Sequence, residues 1–123
     1  QYDKAIEYYE KDLKISLATL GDNHPSTATS YNNIGLAYYS KGQYDKAIEY
    51  YEKDLKIRLA TLGENHPDTA GSYNNLGLAY NSKGQYDKAI EHFEKSLSML
   101  EVIGSPNVYI IRDRLAKLKT SNA

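Results

Sequence analysis

Gln43-Tyr44-Asp45-Lys46-Ala47-Ile48 opens the stretch on which the fold turns, because the same six residues stand at Gln1 and again at Gln85, each 42 residues away. Laid over residues 43–84, residues 1–42 agree at 36 of 42 positions. The differences are Ser16/Arg58, Asp22/Glu64, Ser26/Asp68, Thr29/Gly71, Ile34/Leu76 and Tyr39/Asn81. Agreement at this level is duplication, and a period of this size marks a repeat architecture.

Two helical patterns can be read inside each copy. Tyr44, Ala47, Ile48, Tyr51, Leu55, Leu59 and Leu62 recur at steps of three and four, which makes one apolar stripe along a long helix. Gly63 supplies a residue that tolerates the left-handed conformation ending a helix, and Pro67 suits the first position of the next. That shorter helix carries Ala70, Tyr73, Leu76, Gly77 and Tyr80 on one face and stops at Gly84. Calling the short helix A and the long one B, the order is B (2–20), A (25–41), B (44–62), A (67–83), B (86–102) and a closing helix (106–119). Short connections make consecutive helices antiparallel neighbours, and a lone hairpin cannot bury its stripe, so the pairs must stack. The expected fold is all-α: a solenoid of stacked antiparallel helix pairs with a C-terminal capping helix. It is expected as one repeat domain over 1–123, with a truncated repeat to residue 24, repeats at 25–66 and 67–104, and the cap and tail at 105–123.

Composition narrows the function. With 41% hydrophobic and 25% charged residues and a net charge of −1, the chain has no basic excess for nucleic acid or an anionic membrane surface. No apolar run approaches the roughly 20 residues of a membrane-spanning helix. Cysteine is absent, which excludes disulfides and thiolate metal ligands. His24 and His66 stand a full repeat apart with no companion at metal-ligand spacing, so they read as residues that pack or cap at a helix start. His92 replaces the tyrosine of the earlier copies and reads as a surface substitution. No catalytic residue, metal ligand or cofactor site is expected. The expected setting is cytoplasmic.

The junction Asn33-Ile34-Gly35-Leu36-Ala37-Tyr38-Tyr39-Ser40-Lys41-Gly42-Gln43-Tyr44-Asp45-Lys46-Ala47 resembles the tetratricopeptide repeat signature, with Tyr31, Ile34-Gly35, Tyr38, Gly42, Tyr44, Ala47 and Tyr51 in its slots. The usual repeat has 34 residues. The longer unit here, with its Leu-Gly-x-x-His-Pro linker and Tyr-Asn-Asn-Leu start, is similar to the kinesin-light-chain type. The resemblance implies a right-handed superhelix and partners held along a concave face built from A helices. Matching positions are Thr29, Asn32, Asn33, Leu36, Tyr39 and Ser40 in one copy, and Gly71, Asn74, Asn75, Leu78, Asn81 and Ser82 in the next. Asparagines there can donate to and accept from an extended peptide backbone. None of the twelve is basic, against a grip on a terminal carboxylate.

The family usually places a small residue where this chain has Asp12 and Asp54. A buried carboxylate needs a partner, and Asn32/Asn33 or Asn74/Asn75 are the expected ones. If both aspartates edge the groove, a neutral or basic peptide is the expected ligand. The leading function is thus a protein- or peptide-binding scaffold. The alternative is a structural or self-assembling array without a dedicated ligand.

At the ends, Val108, Ile111, Leu115 and Leu118 make the stripe of the closing helix, with Arg112, Arg114, Lys117 and Lys119 over the rest, as suits a cap. The chain starts inside a repeat and is expected to be part of a longer array. Without a preceding A helix, Tyr2, Ile6, Tyr9 and Leu13 are expected to expose an apolar stripe. Residues 1–20 then fray, or a homo-oligomer forms through that face.

Overall fold

His24 and His66 each stand in extended backbone just before a proline, and the Nδ1 of each ring accepts a hydrogen bond from the backbone N–H two residues on, at 3.0 Å. The imidazole thereby satisfies one of the amides that every helix start leaves unpaired, while the proline has no amide to satisfy. At the other ends, Gly42 (φ +79°) and Gly84 (φ +88°) adopt the left-handed conformation, and the amides of Gln43 and Gln85 bond back to Tyr38 O and Tyr80 O, both at 2.9 Å. These stops and starts delimit the helices.

The computed structural model describes residues 1–121, which hold six helices and no strand. They are α1 (Tyr2–Thr19), α2 (Pro25–Ser40), α3 (Tyr44–Leu62), α4 (Pro67–Lys83), α5 (Tyr86–Ile103) and α6 (Val108–Ser121). Five of the six fall within one residue of the expected ranges at each end, and the sixth within two. The closing helix begins at Val108 rather than at Pro106, because Ser105-Pro106-Asn107 forms a turn first. The Ser105 hydroxyl accepts from Asn107 N at 3.1 Å. The chain divides into two compact units, Gln1–Thr61 and Leu62–Ala123.

In the first unit α1 packs on α2. Ile6 is buried and Tyr9 and Leu13 are half-buried, while Ala28, Ile34 and Ala37 fill the core from α2. Full burial of a side chain such as Ile34 is worth roughly 1.5–3 kcal/mol. The loop is tied to α2 by the Thr27 hydroxyl, which donates to Gly21 O at 2.8 Å. On the other side of α2 lies α3, and Gly35 decides how close they come. A Cβ at residue 35 would lie 2.7 Å from the Tyr51 ring, so only glycine lets that ring seat. Tyr50 stacks on Tyr38 (centroids 5.7 Å apart) and leans on Tyr31 (6.2 Å), with the ammonium of Lys46 over the Tyr38 ring and that of Lys53 over Tyr31.

The second unit repeats the contact between α4 and α5. Gly77 lies under Phe93 (2.6 Å to a hypothetical Cβ), Lys88 over Tyr80 and Lys95 over Tyr73. His92 occupies the Tyr50 position between the Tyr73 and Tyr80 rings, at 6.1 and 5.0 Å. It is therefore a half-buried member of an aromatic cluster and not a surface substitution, which corrects the reading from sequence. Ile111, Leu115 and Leu118 of α6 are buried, and α6 packs on α5, as expected of the cap. Its basic residues pair outward, Arg112 with Glu101 (2.8 Å) and Lys119 with Glu94 (3.2 Å).

The expected apolar stripe on α1 needs correction. Residues 2–19 are helical, Ile6 is buried, Tyr9 and Leu13 are half-buried, and of the four only Tyr2 is exposed. The apolar side chains left bare lie on the opposite face, with Tyr8 66% and Ile15 61% exposed.

Candidate functional site

The A-helix positions fall on α2 in the first unit and α4 in the second. Burial of Ala28, Ile34 and Ala37 on one side of α2 turns Thr29, Leu36 and Ser40 to the surface, and Leu36 is 53% exposed. Asn32, Asn33 and Tyr39 are half-buried, and Tyr39 meets the Tyr44 ring edge-on at 5.3 Å. Asn33 makes no hydrogen bond among the described residues, whereas Asn32 is engaged. The asparagines on α2 are thus unequal, and Asn33 is the one free to meet a ligand.

Asp54 is 2% exposed, and a cation from its own helix pairs with it. Arg58, one turn on, donates from Nε to Asp54 Oδ1 at 3.2 Å and from its other arm to the Thr29 hydroxyl at 3.1 Å. A buried carboxylate is tolerated when charge-paired and hydrogen-bonded, and both conditions are met here. Asp12 is exposed, and four residues after it stands Ser16 instead of arginine. The Ser16/Arg58 difference was therefore the signal for the pair: arginine stands where the aspartate is buried. Asp54 presents no bare negative charge at a groove edge.

The second unit replaces this triad throughout. Asp54, Arg58 and Thr29 correspond to Ser96, Leu100 and Gly71. The buried Ser96 hydroxyl donates to Ala70 O at 2.9 Å, Leu100 is buried, and a Cβ on Gly71 would meet nothing within 4 Å. Where the first unit holds a guanidinium, the second has an open pocket of about 270 Å³ beside Gly71, Asn74, Leu100 and Ile110.

Arg114 of α6 lines that pocket and donates to Asn74 Oδ1 at 2.6 Å. Asn74 is thus taken by the cap and is not free for a ligand, and Asn75 and Ser82 are engaged as well. On its other side Arg114 joins Lys117, Leu78, Asn81, Tyr86 and Phe93 around a second pocket of about 380 Å³. No carboxylate of the described residues pairs with Arg114. The absence of basic residues among the twelve A-helix positions was accurate. Arg58 and Arg114 nevertheless bring cations to Thr29 and Asn74 from helices outside that set.

Burial pushes the Tyr31, Tyr50 and Tyr51 hydroxyls above the ordinary tyrosine range. A hydrogen bond and the charge of Lys41 hold the exposed Asp3 below the carboxylate range. Among the described residues, no three His, Cys, Asp or Glu side chains gather as metal ligands do, and no helix is long and apolar enough to cross a membrane.

A tetratricopeptide repeat family model matches residues 1–60 and 41–101. A search of curated protein sequences finds no match. Among solved structures, the nearly identical TPR-like repeats of a putative kinesin light chain from Podosopora anserina superpose with a TM-score of 0.87 at 29% identity, covering 99% of this chain and 59% of that one. BtubC (BKLC) from P. vanneervenii gives 0.75 at 24% identity, covering 98% and 57%. The N-terminal domain of stress-induced protein-1 from C. elegans gives 0.65 at 16% identity, covering 96% and 97%, a likeness of fold alone. The chain thus spans less than two thirds of the first two relatives. These are solenoids of paired helices, a fold that generally serves as a protein-interaction scaffold. Matching family model, repeat signature and paired-helix packing place this chain in the tetratricopeptide repeat family, with repeats of the kinesin-light-chain type.

Proposed function

We propose that the chain is a non-catalytic scaffold that binds protein segments on the exposed A-helix faces of its units. The observation carrying this reading is the pair of open pockets in the second unit on either side of Arg114, a guanidinium held in place by Asn74 and lacking a carboxylate. Side-chain-sized concavities with one convergent polar group are what a peptide site requires. In the first unit the exposed Leu36 and the unbonded Asn33 offer an apolar contact and a backbone-pairing amide.

The same geometry changes the expected ligand. Asp54 is neutralised by Arg58, so the argument for a basic peptide loses its main support. Arg114 and Lys117 favour an apolar side chain followed or preceded by an acidic one, since a carboxylate can meet the guanidinium in a charge-assisted pair. Peptide-array binding to the wild-type chain and to Arg114→Glu tests this. The expected result is selection of apolar–acidic peptides by the wild type and loss or inversion of that preference in the variant. Equal binding of basic peptides by both proteins would refute the charge assignment, and no peptide binding by either would refute the scaffold reading.

A further inference from the structure

Asn81 stands where the first unit has Tyr39. In the first unit the Tyr39 ring meets the Tyr44 ring edge-on, with centroids 5.3 Å apart. Tyr86 is the counterpart of Tyr44, and no other ring of the described residues lies against it. Beside it is a pocket of about 380 Å³, lined by residues of α4, α5 and α6. Its apolar wall is Leu78, Phe93 and Leu118, the last two buried. The space goes with one substitution inside the unit, and each of its walls is a helix of the chain itself. The first unit thus shows what this repeat position accepts, an aromatic ring set against the tyrosine.

The polar wall sets a second requirement. Arg114 and Lys117 of α6 line the pocket, and no Asp or Glu does. Arg114 is half-buried and held by Asn74 Oδ1 at 2.6 Å, with no carboxylate against it. Lys117 meets Asp113 of its own helix at 3.0 Å on the surface, a pair that holds little. Asn81 and Tyr86 add an amide and a hydroxyl that bond to nothing among the described residues. An unmodified aromatic side chain would cover the guanidinium and bring it no counter-charge. An acidic side chain would bring the charge and leave the place beside Tyr86 empty. Phosphotyrosine joins the two in one side chain, with nearly two negative charges and acceptor oxygens that suit a guanidinium. We infer that this pocket receives a phosphotyrosine of a partner protein, its ring against Tyr86 and Phe93 and its phosphate on Arg114 and Lys117. Binding of this kind rests on the scaffold reading above and names the side chain that one of its pockets takes.

Anisotropy titrations of the whole chain test this with labelled peptides identical except for a central Tyr, phosphotyrosine, phosphoserine or Leu-Glu. The phosphotyrosine peptide should bind about tenfold more tightly than the tyrosine and phosphoserine peptides. Asn81→Tyr restores a ring that the first unit already accommodates, and it should remove this preference. Lys117→Ala should weaken phosphotyrosine binding several-fold at an unchanged thermal midpoint. Phosphotyrosine bound no better than tyrosine, with Leu-Glu bound, would overturn the phosphotyrosine site and leave the scaffold reading standing. No binding of any of the peptides would overturn both. Phosphoserine bound as tightly as phosphotyrosine would overturn the role of the ring, and a preference that survives Asn81→Tyr would overturn the pocket. Free phenyl phosphate serves as competitor. Displacement by it at the peptide's own affinity would assign the pocket to a small aryl phosphate, overturning the protein partner.

Discussion

Arg58 joins two helices through one guanidinium, giving Nε to the buried Asp54 at 3.2 Å and an Nη to Thr29 on α2 at 3.1 Å. Removing the arginine alone leaves the carboxylate buried without a counter-charge. Arg58→Ala should therefore destabilise the first unit by about 3–5 kcal/mol, the cost of breaking a buried pair from one side. The double change Asp54→Ser with Arg58→Leu, which copies the second unit, should recover most of that loss. Urea unfolding of the three variants checks both values. An Arg58→Ala midpoint equal to wild type would mean that the carboxylate is solvated.

Glycines inside helices divide into two kinds here. Gly35 and Gly77 lie under aromatic rings, where a Cβ would approach to 2.7 and 2.6 Å, so Gly35→Ala and Gly77→Ala should cost about 1–3 kcal/mol despite alanine's better helix propensity. Gly71 has open space around it. Gly71→Ala should stabilise by about 0.5–1 kcal/mol. Thermal unfolding of the three proteins should move the midpoints in opposite directions, and a shared direction would contradict the packing.

Thr27 and Thr69 occupy the same repeat position and are both fully buried, yet only Thr27 has a bond, to Gly21 O. The Thr69 hydroxyl has no partner among the described residues. Replacing a satisfied hydroxyl loses its bond, whereas replacing an unsatisfied one relieves a desolvated polar atom. Thr27→Val should destabilise by about 1 kcal/mol and Thr69→Val should be neutral or stabilising by a similar amount, as denaturant midpoints will report.

Alkaline pH should unfold the first unit preferentially. Burial raises Tyr51 furthest, ahead of the influence of Tyr39 and Asp54, and raises Tyr31 and Tyr50 as well. Because the folded state holds these protons more tightly than the unfolded chain, stability is intact below the ordinary tyrosine value of 10.0 and falls as pH rises beyond it. The second unit carries Phe93 at the Tyr51 position and has nothing to ionise there. Tyr51→Phe should lessen the alkaline loss, read as the difference in unfolding midpoint between pH 8 and pH 11, and an unchanged difference would exclude Tyr51 as its source.

How much of this was legible in sequence varies with the distance over which each feature is decided. Helix limits, the glycine stops and the His-Pro starts are local, which is why every limit came within two residues and only those of α6 missed by more than one. The buried pair at Asp54 was half legible: the need for a partner followed from burial, and the Ser16/Arg58 difference pointed to Arg58. Choosing the α1 stripe failed because an amphipathic helix between two neighbours has two buried faces. Periodicity alone does not say which neighbour each face meets.

The sequence by itself determined the repeat, the helices, their pairing and the A-helix positions, since each follows from spacing along one helix or from a turn of a few residues. Only the tertiary structure decided which of those positions remain available. Arg58 and Arg114 arrive at Thr29 and Asn74 from separate helices, 29 and 40 residues away, and such meetings depend on packing depth and side-chain reach. Within the identical hexapeptides Ala47 is buried and Ala5 only half-buried, because burial belongs to the neighbours a segment has and not to the segment.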